Sequence, residues 1–268
     1  MSRKIQSLLV GVVMALFVCL FTAGVSSATV LSSSEGSSSL SRGISHAVEG
    51  PAFEKIYRNS RGFSYLAAPR VLSPGVAITN QDKGKVCSAG WFFEKGDQIL
   101  LSTAGHCGAQ GDRFSFTNQD GETVSIGKVV VSDYQTTSDL GISDFALIEV
   151  IDLSVVGATV PLENRYLPVE MTYEDAPSAS FTRFDFICGL GFRSGLSCGP
   201  FDSIGEKGEL FFRRISDTGD SGGPVFGVNG STIVPLALGS AGSNDDATKS
   251  LNQPILSKMR QYNLKLHL

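Results

Sequence analysis

An all-β fold is what this sequence predicts, on three observations. Thirty glycines punctuate 268 residues, and Val-, Ile- and Phe-rich runs recur between turn residues, as in a chain of short strands. Arg113-Phe114-Ser115-Phe116-Thr117 and Thr123-Val124-Ser125-Ile126 alternate with period two around Asp120-Gly121, a hairpin signal. Helical spacing marks the end, where Pro254 opens a stretch with Ile255, Leu256, Met259 and Tyr262. A C-terminal helix packed on a β domain is therefore expected, and the length suits one large β domain or two small ones.

From the N-terminus, residues 1–28 read as an export signal. Arg3 and Lys4 precede an apolar run from Leu8 to Phe21, which is short for a spanning helix, and Ser26-Ser27-Ala28 offers a small-residue cleavage site. An uncleaved signal anchor is the alternative. Residues 29–73 form a serine-rich segment, with eight serines between Ser32 and Ser45 and too few apolar anchors to offset its ordering entropy. Its second part, from residue 51, is more mixed (Phe53, Ile56, Tyr57, Phe63, Tyr65, Leu66) and reads as a short prosegment or a strap on the domain surface. The strand pattern begins near Ser73. Gln98–Ser102, Arg113–Thr117, Thr123–Ile126 and Phe145–Val150 are expected strands, and polar, proline-bearing residues 161–178 read as a crossing between two halves. Further strands are expected near 180–188, 196–203, 209–215 and 232–239.

Charged residues make up 18% of the chain and the net charge is −4. With no basic stripe, nucleic acid is excluded as a partner. Once Cys19 leaves with the signal, Cys87, Cys107, Cys188 and Cys198 remain, an even number behind an export signal. Three pairings are possible; nearest neighbours, Cys87–Cys107 and Cys188–Cys198, are the simplest. Each such loop contributes about 3 kcal/mol in the chain-entropy account. Neither pair has the short spacing that zinc ligands require, so no metal site is expected.

Two segments carry chemistry. Gly219-Asp220-Ser221-Gly222-Gly223-Pro224 places a serine among glycines, where backbone N–H groups are free to point at a developing oxyanion. Ser221 is a weak nucleophile until an imidazole takes its proton. The chain has three histidines: His46 lies in the serine-rich region and His267 is the penultimate residue, so His106, in Thr103-Ala104-Gly105-His106-Cys107, is the candidate base. A carboxylate must hold that imidazole in one tautomer. Asp144, heading Asp144-Phe145-Ala146-Leu147-Ile148, is the candidate, with Asp139 the alternative. The N–H groups of Gly219 and Ser221 are the candidate oxyanion hole.

The order His106, Asp144, Ser221 and the two segments around the histidine and serine resemble the signatures of chymotrypsin-fold serine proteases. Cys188-Gly189-Leu190-Gly191-Phe192-Arg193-Ser194-Gly195-Leu196-Ser197-Cys198-Gly199 is similar to a cysteine-bounded loop of the bacterial branch, the streptogrisins and alpha-lytic protease. The resemblance covers residues 74–268. It implies two antiparallel Greek-key β-barrels packed face to face, about 74–165 and about 175–268, with the three residues in the cleft between them. It also implies a secreted, monomeric endopeptidase acting on protein or peptide substrates, with no cofactor and no membrane association after signal cleavage. A non-catalytic homologue that binds proteins on the same scaffold is the alternative, and an enzyme tethered to the cell surface by the serine-rich region is a third.

The resemblance further implies that Ser240-Ala241-Gly242 pairs with substrate backbone by strand addition. It implies that Ile215, six before the nucleophile, floors the primary pocket with Ser216 beside it. An apolar floor favours medium apolar side chains, unless Asp217 reaches in. Glutamate-specific relatives use a histidine in this pocket, and Gly239 supplies none. Two departures stand out. Where the bacterial branch often carries an arginine that pairs with the acid before the nucleophile, this chain has Gly189, so Asp220 needs another cation: Arg193, Arg183 or an α-amino group released by cleavage. Only about 45 residues separate Ala28 from the domain, short for a folding prosegment. Asn229-Gly230-Ser231 is a glycosylation sequon or a hairpin turn, and Trp91 is expected in the core.

Overall fold

The computed structural model describes residues 48–49, 55–135, 143–157, 160–162, 165–166, 184, 186–206, 208–229, 232–242, 246 and 248–267. The export signal at 1–28, Asp139, Arg183 and most of the 161–178 crossing lie outside them.

Ahead of the barrels lie β1 (Val48–Glu49) and β2 (Lys55–Asn59). The first barrel is built from β3 (Ala77–Asn80), β4 (Lys85–Ser88), β5 (Phe92–Lys95), β6 (Gln98–Thr103), β7 (Arg113–Thr117), β8 (Thr123–Tyr134) and β9 (Asp144–Val150). A small pair, β10 (Pro161–Leu162) and β11 (Arg165–Tyr166), follows. The second barrel comprises β12 (Phe186–Gly191), β13 (Gly195–Gly199), β14 (Phe201–Ile204), β15 (Leu210–Arg213), β16 (Pro224–Asn229), β17 (Thr232–Gly242) and β18 (Lys249–Pro254). Helix α1 (Ile255–Tyr262) and β19 (Lys265–Leu266) end the chain.

Every pairing among these strands is antiparallel. The first sheet runs β5-β6-β9-β8-β7-β3-β4 and the second β13-β12-β16-β17-β18-β15-β14. Each closes at a bent strand. β4 runs through Ala89-Gly90-Trp91 into β5, so one end pairs with β3 and the other with β6. β13 likewise runs through Pro200 into β14, pairing with β12 and then β15. Pro200 has no N–H to give a ladder, which suits it to the corner. The two barrels thus share one topology, with no edge left along the closed part.

Burial explains the strands. Phe92, Phe93, Leu101, Phe114, Phe116, Phe145, Leu147 and Ile148 are fully buried in the first barrel. Ile187, Leu210, Phe212, Val225 and Ala237 form a separate cluster in the second. Trp91 is buried at the bend, its indole N–H donating to the Ala237 carbonyl (3.0 Å) and its ring edge-on to Phe226. An aromatic of this size removes enough apolar surface for about 4–6 kcal/mol of gross stabilisation, here spent joining the two barrels.

Three further features position the site. The Asp120-Gly121 turn is a hairpin in which Asn118 Oδ1 accepts the N–H groups of Asp120 and Glu122. β2, ahead of residue 74, adds an edge strand to β13, and the turn after it buries Phe63 and Leu66 in the main core. Helix α1 begins after Pro254 and returns the chain to the first barrel. Tyr262 stacks on Phe145 (6.0 Å, 8°), and β19 pairs with β5. The buried Lys258 ammonium donates to the Asp133 carboxylate and to Ser143 Oγ, beside Asp144. Burial pushes the Asp133 pKa up, but Lys258, Ser143 and Tyr262 outweigh it and hold the group below its ordinary value.

Candidate active site

His106 sits on a short 3-10 turn, Gly105–Cys107, directly after β6. Cys107 is bonded to Cys87 of β4, which ties that turn to the neighbouring strand. A side chain at position 105 would strike Phe145 N at 2.8 Å, so the glycine lets the turn lie against the start of β9. Asp144 opens that strand and is 3% exposed.

The two residues make a double contact. Asp144 Oδ1 accepts the His106 backbone N–H and Oδ2 accepts its Nδ1–H, each at 2.8 Å. Ser240 Oγ donates to the same Oδ2 at 2.5 Å, and the Asp144 N–H is held by Gln253 Oε1 at 3.1 Å. Burial raises the carboxyl pKa, but the side-chain hydrogen bond and charge of His106, with Ser240 and the His106 N–H, outweigh burial and leave it lowered. An ionised carboxylate only accepts, so the proton on Nδ1 is dictated and Nε2 is left as the acceptor.

Ser221 lies in the loop before β16, half-buried, its Oγ donating to the Ser240 carbonyl at 3.4 Å rather than to His106. The loop is gripped from the first barrel. Ser88 donates its N–H to the Ser221 carbonyl (2.8 Å) and its hydroxyl to the Gly219 carbonyl (3.0 Å). Gly219 has φ +108°, open to glycine alone without strain. Among the described residues, the Asp220, Gly222 and Gly223 N–H groups are all engaged, whereas those of Gly219 and Ser221 donate to no protein acceptor.

Asp220 is buried, and four donors converge on its carboxylate. Arg193 N–H (3.0 Å) and Ser194 N–H (3.1 Å) reach Oδ1; Asp217 N–H (2.8 Å) and the Ser194 hydroxyl reach Oδ2. Of the cations expected for it, Arg193 serves through its backbone, while its guanidinium stands 3.9 Å from Asp217. The charge that acts on Asp220 from inside is one the sequence reading missed. Arg214, 4% exposed, fills the space beside Gly189 and Gly239: a Cβ on either would come within 1.9 Å of Nη1 and 2.7 Å of Nη2. Burial lowers its pKa and Asp220 partly counters that. The readable signal was the hole itself. Gly189 leaves room that Arg214 enters.

A small open cleft beside Ser221 is lined by Arg214, Ser216, Asp217, Asp220, Gly239, Ser240, Ala241 and Gly242. Ser216, Ser240, Ala241 and Gly242, the expected substrate-binding residues, all line this cleft. Ile215 does not line the cleft; its N–H bonds Ser197 Oγ (2.8 Å) and its neighbour Arg214 takes that wall instead. Both nearest-neighbour disulfides are present, Cys188–Cys198 as a directly opposed pair across β12 and β13. Cys87, Cys107 and His106 cluster closely, but the two sulfurs are joined to each other and offer no thiolate to a metal.

No model of a known protein family matches this sequence, and no curated protein does. Solved structures do match. Thermobifida fusca protease A is similar at 22% identity, over 73% of this chain and 97% of its own, with a TM-score of 0.54. A glutamic-acid-specific serine protease that uses a histidine triad in substrate binding is similar at 21% identity, over 73% and 100% of the two chains, with a TM-score of 0.52. A Nocardiopsis protease follows at 20% identity, over 74% and 99%, with a TM-score of 0.51. At such identities the likeness speaks for the path of the chain. Two closed antiparallel barrels, a C-terminal helix and these neighbours together give this protein the chymotrypsin fold of bacterial serine proteases.

Proposed function

We propose that this chain is a secreted serine endopeptidase working through an acyl-enzyme. The observation that carries the reading is the double grip of Asp144 on His106, which leaves Nε2 basic and directed away from the carboxylate. In the reaction the Ser221 hydroxyl leaves the Ser240 carbonyl and donates to Nε2. As Oγ bonds to the scissile carbonyl carbon, its proton passes to His106. The imidazolium then protonates the leaving amine as the C–N bond breaks. Water repeats the sequence on the acyl-enzyme, releasing the acid and restoring Ser221. The Gly219 and Ser221 N–H groups are the donors for the oxyanion, each worth roughly 3 kcal/mol of barrier. Ala241 and Gly242, exposed at the end of β17, are the stretch on which an extended peptide would add as a strand.

The test is chemical. The processed protein is treated with a fluorophosphonate probe and the labelled peptide is mapped by mass spectrometry, with Ser221→Ala as control. Label on Ser221 alone is expected. Folded, fully processed protein that takes no label, or takes it on another serine, overturns the assignment in favour of a binding module on the same scaffold.

A further inference from the structure

Arg214 has no part in the acyl transfer, yet it occupies the wall of the cleft that holds Ser221. A buried guanidinium is costly unless its donors are met. Here one is not: among the described residues its Nε–H finds no acceptor, and no carboxylate forms an ion pair with it. Phe212 lies beneath, 5.5 Å from the guanidinium carbon to the ring centroid, and contributes no hydrogen-bond acceptor. The two acids nearby are committed elsewhere. Asp220 already accepts four donors, and Asp217 is about half exposed, accepts the Thr218 N–H at 2.7 Å and faces Arg193. Gly189 and Gly239 carry no side chain that would fill the space, so the charge is held at the cleft with its Nε–H unmet among the described residues.

We propose that Arg214 is the specificity-determining residue of this site, selecting peptides with glutamate or aspartate on the acyl side of the cleaved bond. An ionised carboxylate entering the cleft supplies the planar acceptor that a guanidinium fork matches and that none of the described residues provides by a hydrogen bond. The expectation of medium apolar side chains rested on Ile215, whereas the cleft beside Ser221 is lined by Arg214. This inference rests on the protease reading above, and its test separates the two.

The full-length protein, in the processed form it accumulates, is assayed on peptide anilides identical except for Glu, Asp, Gln, Leu or Lys before the anilide. One acidic residue should exceed Gln by at least about 100-fold in kcat/KM, because a site built around a charge rejects its neutral isostere. In Arg214→Gln that ratio should collapse to within about 3-fold, and Arg214→Lys should keep part of it. Since the ratio is read first on the unmodified chain, a misfolded variant does not decide the matter. Fluorophosphonate label on Ser221 with Gln, Leu or Lys cleaved as well as Glu and Asp overturns the role of Arg214 alone. No label and no cleavage of any peptide overturns the protease reading and this inference together.

Discussion

Replacing Gly189 by alanine tests the packing on which the account of Arg214 depends. A Cβ at that position would sit 1.9 Å from Arg214 Nη1, 2.9 Å from Cζ and 3.1 Å from Cδ. Non-bonded heavy atoms rest at about 3.5–4 Å, so the guanidinium must retreat by about 1.5 Å or more. It has little room, because the residue is already 4% exposed and packed beside Gly239, where even an added Cβ would come within 2.7 Å of Nη2. Overpacking of this kind costs about 1–3 kcal/mol. The assay is urea unfolding of four proteins: the parent, Gly189→Ala, Arg214→Ala and the double variant. With Arg214 truncated, the added methyl has space, and its cost should fall to within about 0.5 kcal/mol, a coupling visible in the cycle. Equal costs for Gly189→Ala in both backgrounds would mean that the arginine does not occupy this space, and the specificity argument would fall with it.

Two other outcomes follow from the carboxylates. Asp144→Asn should lower kcat/KM by about 10³–10⁴-fold, since an amide at Oδ2 cannot hold the Nδ1–H tautomer. Because the Asp144 pKa is depressed below 3.8, its ionised form stabilises the fold above that value, and the contribution fades as pH falls through the lower folded value. The urea midpoint of the parent should therefore drop more between about pH 4 and about pH 2 than that of Asp144→Asn, and parallel losses would refute the linkage. Asp220→Asn confronts four donors with an amide N–H₂ and removes the charge that opposes Arg214; a loss of about 2–4 kcal/mol in thermal or urea unfolding is expected, against under about 0.5 kcal/mol if the loop is held by other contacts.

Strands were legible where packing agrees with local pattern. Gln98–Thr103 and Asp144–Val150 fall within a residue of expectation because both lie on the barrel wall with most of their residues buried. The expected strand at 196–203 is broken at Pro200, where the barrel corner uses a residue with no N–H. The expected Thr123–Ile126 strand runs on to Tyr134. Bulges against β7 and β9 let it bend around the barrel, and register shifts of that kind have no sequence periodicity. β19 is two residues long and is held by β5, so no local signal could announce it.

The candidate site divides the same way. The candidates His106, Asp144 and Ser221 stood out one by one because each sits in a short segment of distinctive composition. Ser88, Ser240 Oγ and Gln253 brace those segments from strands far away in sequence, and nothing near them in the chain marks the task.

What the chain alone determined is the all-β class and the helix after Pro254, and it nominated the candidate reactive groups, all consequences of spacing within a few residues. The barrel closures, their shared topology and the seat of Arg214 between Gly189 and Gly239 were decided by tertiary structure. The physical reason is that a cavity belongs to no single segment. Two absent side chains, fifty residues apart, make room for a charge only once three strands are brought side by side.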